Sequence, residues 1–129
     1  MSHFVSIRTE LREKQHLLNA LSDLGLAYQE GDRISLTSDM NQQETAEIVA
    51  STDCDYEIGF RRLSDRFEMI ADWFNIERLT PLKRRTFLEQ LTQRYSYRLV
   101  RDQAREQNLI VEEERQENGD IILVLSERG

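Results

Sequence analysis

Cysteine occurs once in this 129-residue chain, at position 54, so no intrachain disulfide can form and a cysteine-based zinc site is excluded. Histidine occurs twice, as His3 and His16, on different predicted elements and without ligand spacing, so no metal centre is expected. Proline occurs once and glycine five times, which leaves no room for a flexible linker or a low-complexity tract. A single domain over residues 1–129 is the natural reading, since that length is near the commonest domain size. No apolar run approaches the roughly 18 residues that a membrane span needs. The opening "MSHFVSIRTE" has neither the basic n-region nor the apolar h-region of a signal peptide, so the protein is expected to work in the compartment where it is made. Gly-rich phosphate loops, a nucleophile elbow and a cysteine–histidine cluster are all missing, so no catalytic residue and no cofactor are expected. Asp72, Glu57 and Glu68 are the carboxylates that would have to meet in a cleft for acid–base work.

What is present is charge, unevenly placed. The formal net charge is -7. Residues 81–107 nevertheless carry seven bases against three acids, while the remainder carries ten bases against 21 acids. Overall acidity disfavours a general affinity for nucleic acid, because phosphate contacts dominate such binding.

The positive segment contains "LTQRYSYRLVRDQAR", residues 91–105. At roughly 100° per residue, Phe87, Leu88, Leu91, Thr92, Tyr95 and Leu99 fall within an arc of about 140°, a packed face. Tyr95 is expected in the core with its hydroxyl at the rim. Arg94, Tyr97, Arg98, Arg101 and Arg105 lie on a second face as a basic stripe. Two readings of the stripe stand side by side. It is either a solvated face paired with acids of the same molecule, with Asp102, Glu112, Glu113, Glu114 and Glu117 as candidates, or a docking surface for an acidic protein partner. An RNA- or nucleotide-binding surface, with Tyr97 as a stacking group, is the alternative use of the same residues.

Periodicity supplies the elements. Residues 3–9 alternate as a strand, and Leu17, Leu18, Leu21 and Leu24 mark a helix that Gly25 ends. "LAYQ", Glu30-Gly31-Asp32 and "RISLT" predict a hairpin with glycine at the turn. "AEIVAS" and "YEIGFRR" predict a second hairpin, "DRFEMIADW" a further strand, and Gly59 a bulge or close backbone approach. Trp73-Phe74 reads as an aromatic pair at a turn. Thr80-Pro81 predicts the start of a helix that runs to about Gln107, with room for a kink midway. "LIVEEERQ" and "DIILVLS" flank Asn118-Gly119, a strong hairpin signal. The fold class is therefore α+β: an antiparallel sheet of six to eight strands with two helices on one face, and a β-α-β-β theme that occurs twice.

"MSHFVSIRTEL", "DYEIGF" at 55–60, "LTQRYSYRLV" at 91–100 and "NGDIILVL" at 118–125 together resemble the hypothetical chloroplast reading frame thirty-five family, a domain of unknown function found in algal plastids and cyanobacteria. The resemblance spans nearly the whole chain, and departs from it at Asn108-Leu109, where members often carry Gly-Phe, and in the tail. It implies a soluble protein of the plastid stroma or of the cyanobacterial cytoplasm, and brings no catalytic residues to carry over. The function expected is that of a non-enzymatic interaction or assembly factor.

Overall fold

In the computed structural model, which describes residues 3–39, 42–118 and 120–127, the alternating start of the chain becomes β1 (Val5–Arg8). The leucine-rich stretch after it becomes α1 (Lys14–Asp23), which buries Leu17, Leu18, Ala20 and Leu21. Gly25 stops this helix at φ 80°, a left-handed conformation that a Cβ would penalise. The N–H groups of Gly25 and Leu26 donate back to the carbonyls of Ser22 and Leu21, each at 3.0 Å, and so satisfy the last turn.

Strands β2 (Tyr28–Ser35), β3 (Thr45–Ala50), β4 (Ile58–Leu63) and β5 (Arg66–Ala71) join β1 in a five-stranded antiparallel sheet of order β1-β5-β4-β3-β2. Their period-two patterning puts Ile48, Ile58, Phe60, Phe67 and Met69 on one face, packed against α1, the short helix α2 (Trp73–Leu79) and the long helix α3 (Arg84–Glu106). Phe60 and Phe67 are fully buried there, each contributing roughly 1.5–3 kcal/mol of transfer free energy. On the opposite face, Leu36 and Ala46 close over Gly59. A Cβ at Gly59 would stand 2.9 Å from both Leu36 Cδ1 and Ala46 Cβ, so this glycine marks the close approach its place in a strand predicted.

Three expectations need correction. The hairpin over Glu30-Gly31-Asp32 does not form: β2 runs straight through, paired with β3 from Tyr28↔Ala50 to Ser35↔Thr45. Gly31, Asp32 and Arg33 stand opposite Glu47 alone, so the glycine relieves a bulge instead of making a turn. Of the two glycine-turn hairpins behind the β-α-β-β theme, only the second is a hairpin. Thr80-Pro81 does not open the long helix either. Thr80 closes α2, its hydroxyl donating to the Ile76 carbonyl at 2.8 Å, and α3 begins only at Arg84, whose N–H donates to Glu77 Oε2 at 2.8 Å. The described helices therefore number three, with Trp73 and Phe74 on α2 and Asp72 as its N-cap. Helix α3 is continuous to Glu106, and Asn108, at φ 58°, ends it.

The third correction concerns the sheet. The last two strands, β6 (Leu109–Glu117) and β7 (Asp120–Glu127), form a separate two-stranded sheet and do not extend the first. Asn118, at φ 50°, sits in the predicted turn; its partner Gly119 lies outside the described residues. The seven described strands thus divide five and two, giving an α+β body and a β-ribbon arm.

Candidate docking site on the long helix

Helix α3 has the two faces its sequence predicts. Phe87, Leu91 and Tyr95 are buried in the core. The Tyr95 hydroxyl accepts the N–H groups of Arg12, at 3.0 Å, and Glu13, at 2.7 Å. Glu13 is the N-cap residue of α1 and makes no capping bond with its own side chain, so a residue on α3 supplies an acceptor at that helix end.

The basic face is anchored at two points. Arg94 and Arg98, one turn apart, converge on Asp23: Arg94 Nη2 lies 3.0 Å from Oδ2, and Arg98 reaches Oδ2 through Nε at 2.9 Å and Oδ1 through Nη2 at 2.5 Å. Asp23 occupies the last turn of α1, where the helix dipole disfavours negative charge and no basic residue of α1 offsets it. The arginines of α3 compensate. Hydrogen bonding from Arg98, supported by Arg94, holds the Asp23 carboxyl below the usual carboxylate range against the opposing effect of burial. Asp23 in turn raises Arg98.

The second anchor ties the arm to α3. Glu114 Oε2, on β6, is 3.2 Å from Arg101 Nη1 and 3.0 Å from the Tyr97 hydroxyl. The Tyr97 ring carries the Arg94 guanidinium 4.4 Å from its centroid, with Arg101 at 5.5 Å. Arg105 pairs with Asp102 at 3.6 Å and stays largely exposed. Of the acids named from the sequence, Glu114 engages the stripe; Glu117 pairs with Arg115, and the Glu113 side chain lies outside the described residues. Asp102 joins Arg105 and lies 3.5 Å from His16 Nδ1. Sequence reasoning missed Asp23. The signal was there, in an acid closing a helix that has no base near its end. The Tyr97 ring, a stacking group in the nucleic-acid reading, is met by two arginines of its own helix and its hydroxyl is held by Glu114.

Beyond the stripe, α3 and the arm enclose an open groove of about 1120 Å³. Leu88, Tyr97 and Val100 line it from the helix, Ile121 and Leu123 from β7, and Arg85 stands at the end near the arm's tip. Thr92, Gln93 and Ser96 add uncharged polar groups. Such a lining suits an amphipathic peptide segment: aliphatic contacts supply affinity and neutral donors and acceptors fix its register.

The carboxylates considered for acid–base work are engaged elsewhere. Asp72 is buried and accepts the Asn75 N–H at 3.2 Å, Glu57 accepts from the Thr37 N–H and hydroxyl, and Glu68 is ion-paired with Arg61. Among the described residues no group of three or more His, Cys, Asp or Glu is arranged to hold a metal ion, and no helix is long and apolar enough to cross a membrane.

Residues 20–124, which include the anchored stripe, the groove and most of the arm, match the family described as "Protein of unknown function (DUF1257)". The chain belongs to this family. DUF1257 relatives include "Uncharacterized protein ycf35" of Cyanophora paradoxa, 29% identical over 97% of this chain and 96% of that protein. The proteins of the same name from Pyropia yezoensis and Guillardia theta are 29% and 32% identical, with the same coverage. The family resemblance drawn from "MSHF" and "LTQRYSY" is thereby established. No solved structure matches the chain.

Proposed function

We propose that this DUF1257 protein is a non-enzymatic interaction or assembly factor of a photosynthetic cell, acting in the plastid stroma or the cyanobacterial cytoplasm. The observation that carries this reading is the groove between α3 and β7, open along its length and lined by Leu88, Val100, Ile121 and Leu123. Its occupant is a segment of a protein partner with an aliphatic stripe and acidic flanks. The apolar lining takes the stripe, and positive charge for the acids comes from Arg85, which stands in the lining beside Glu89 and Asp120, and from Arg101 and Arg105 further along α3, outside the lining. In this reading the stripe contributes through its C-terminal half, because Arg94 and Arg98 are committed to Asp23. The relatives from algae support the cellular setting. Nucleic-acid binding through the stripe draws less support, since Arg94 and Arg98 are committed to Asp23 and the Tyr97 ring is met by Arg94 and Arg101 of its own helix.

The test is affinity capture with tagged protein from an extract of its own cells, followed by identification of what is retained. Val100→Asp together with Leu123→Asp is expected to abolish retention of a protein that the wild type holds, with unchanged far-ultraviolet circular dichroism. Retention equal to the wild type removes the groove from the reading. A groove partner bound as well by Arg105→Glu as by the wild type at low salt removes the acidic flank.

A further inference from the structure

Strand β7 carries an uninterrupted aliphatic run, Ile121 to Leu125, yet none of the five side chains is fully buried. Ile121 and Leu123 face the groove, so by alternation Ile122 and Val124 point away from α3. A two-stranded ribbon is marginal by itself, and three or more strands are normally needed for a self-sufficient sheet. Among the described residues β7 is bonded to β6 alone, so its other edge presents unpaired N–H and C=O groups. Nothing in the run protects that edge, for it holds no proline and no charge between Asp120 and Glu127.

We infer that this edge pairs with the same edge of a second copy, giving a continuous four-stranded sheet of order β6-β7-β7-β6 across a two-fold axis. The run is complementary to itself. Antiparallel pairing centred on Leu123 sets Ile122 opposite Val124, Ile121 opposite Leu125 and Asp120 opposite Ser126, so no like charges meet. The two-fold axis stands perpendicular to the sheet, so both α3 helices lie on one side of it.

Charge decides which edge is used. β6 holds Glu112, Glu113, Glu114 and Glu117, and pairing through β6 would set these strands about 5 Å apart in a chain of net charge -7. Pairing through β7 puts them on the outer strands, about 14 Å apart, beyond the roughly 8 Å screening length at physiological ionic strength. The inference rests on the outer edge of β7 and is independent of what occupies the groove.

The experiment is sedimentation velocity on the full chain over a broad concentration range, with circular dichroism as the fold control. The wild type is expected to reach twice the chain mass, and a wild type that stays at the chain mass throughout overturns the inference. Ile122→Lys with Val124→Lys puts lysines opposite each other twice and is expected to give a folded monomer. Ile122→Lys with Val124→Glu makes the same two sites complementary across the axis and is expected to restore the dimer. Both double variants dimeric, or both monomeric, overturns the pairing.

Discussion

Strands β3 and β5 of the five-stranded body and β7 of the two-stranded arm are comparably apolar, yet they are buried differently. In the body, Ile48, Phe60, Phe67 and Met69 lose all contact with solvent because α1, α2 and α3 cover one sheet face. In the arm, Ile110 and Val124 remain more than a third exposed, and the other aliphatic residues of β7 are only partly covered. Hydrophobic content is therefore not what separates a core from an interface. A strand becomes core when the chain supplies a second layer, and the arm is left without one on its outer side. The stripe on α3 repeats the contrast. Arg94 and Arg98 hold Asp23 where its side chain is 14% exposed, whereas Arg101 holds Glu114 where it is 42% exposed. The first pair bolts body to body, and the second latches a loosely covered element.

The contrast is sharpest where the body is broken. Phe60→Ala, in the most enclosed layer, is expected to lower unfolding free energy by about 3–5 kcal/mol in chemical denaturation, while a comparable truncation in β7, Leu123→Ala, lowers it by less than about 1.5 kcal/mol. Similar losses at the two sites would mean that the arm is core after all.

Asp23→Ala leaves two arginines facing each other without their counter-ion, and a loss of about 2–3 kcal/mol is expected, below the fully buried case because the arginines are partly exposed. Its pH dependence follows from the lowered carboxyl. A depressed folded-state value contributes stability that is fully present above the ordinary aspartate range and disappears as pH falls through the folded value. Wild type and variant should therefore differ at neutral pH and converge in acid. A gap that persists in acid would assign the loss to packing.

Tyr95→Phe keeps the ring in the core and removes the acceptor of two N–H groups, for an expected loss of about 1–2 kcal/mol. Glu114→Gln releases the latch on the arm and should shift global stability by less than about 1 kcal/mol. Its stronger readout is hydrogen exchange, where β6 and β7 amides should speed up while those of β3 and β4 do not. Smallest of all, Arg105→Glu is expected to stay within about 0.5 kcal/mol of the wild type in thermal unfolding.

Much of this was legible from residue order. The buried face of α3 with Tyr95 in it, the stop at Gly25, the strands β3 to β5 and the β6–β7 hairpin all follow from patterns a few residues long. The stripe itself was legible as a face, but not its partner. Asp23 lies 71 and 75 residues from Arg94 and Arg98, and no local period reports which helices cross. The acids nearer in sequence were the reasonable candidates, and among the described residues Glu114 engages Arg101 and Asp102 engages Arg105.

The sequence by itself determined which side of each element is apolar, where α1 and α3 stop, and that the chain is α+β, because periods of 3.6 and 2 are properties of neighbouring residues. Tertiary structure decided the rest. It carried β2 past Gly31 as one bulged strand, paired with β3 on both sides of the bulge, in place of a turn. It also gave Thr80 to the end of α2, set the last hairpin apart as an arm, and turned half of a basic stripe into an internal clamp. Each of those outcomes depends on which distant segment offers a partner, and that is settled only when the elements are packed together.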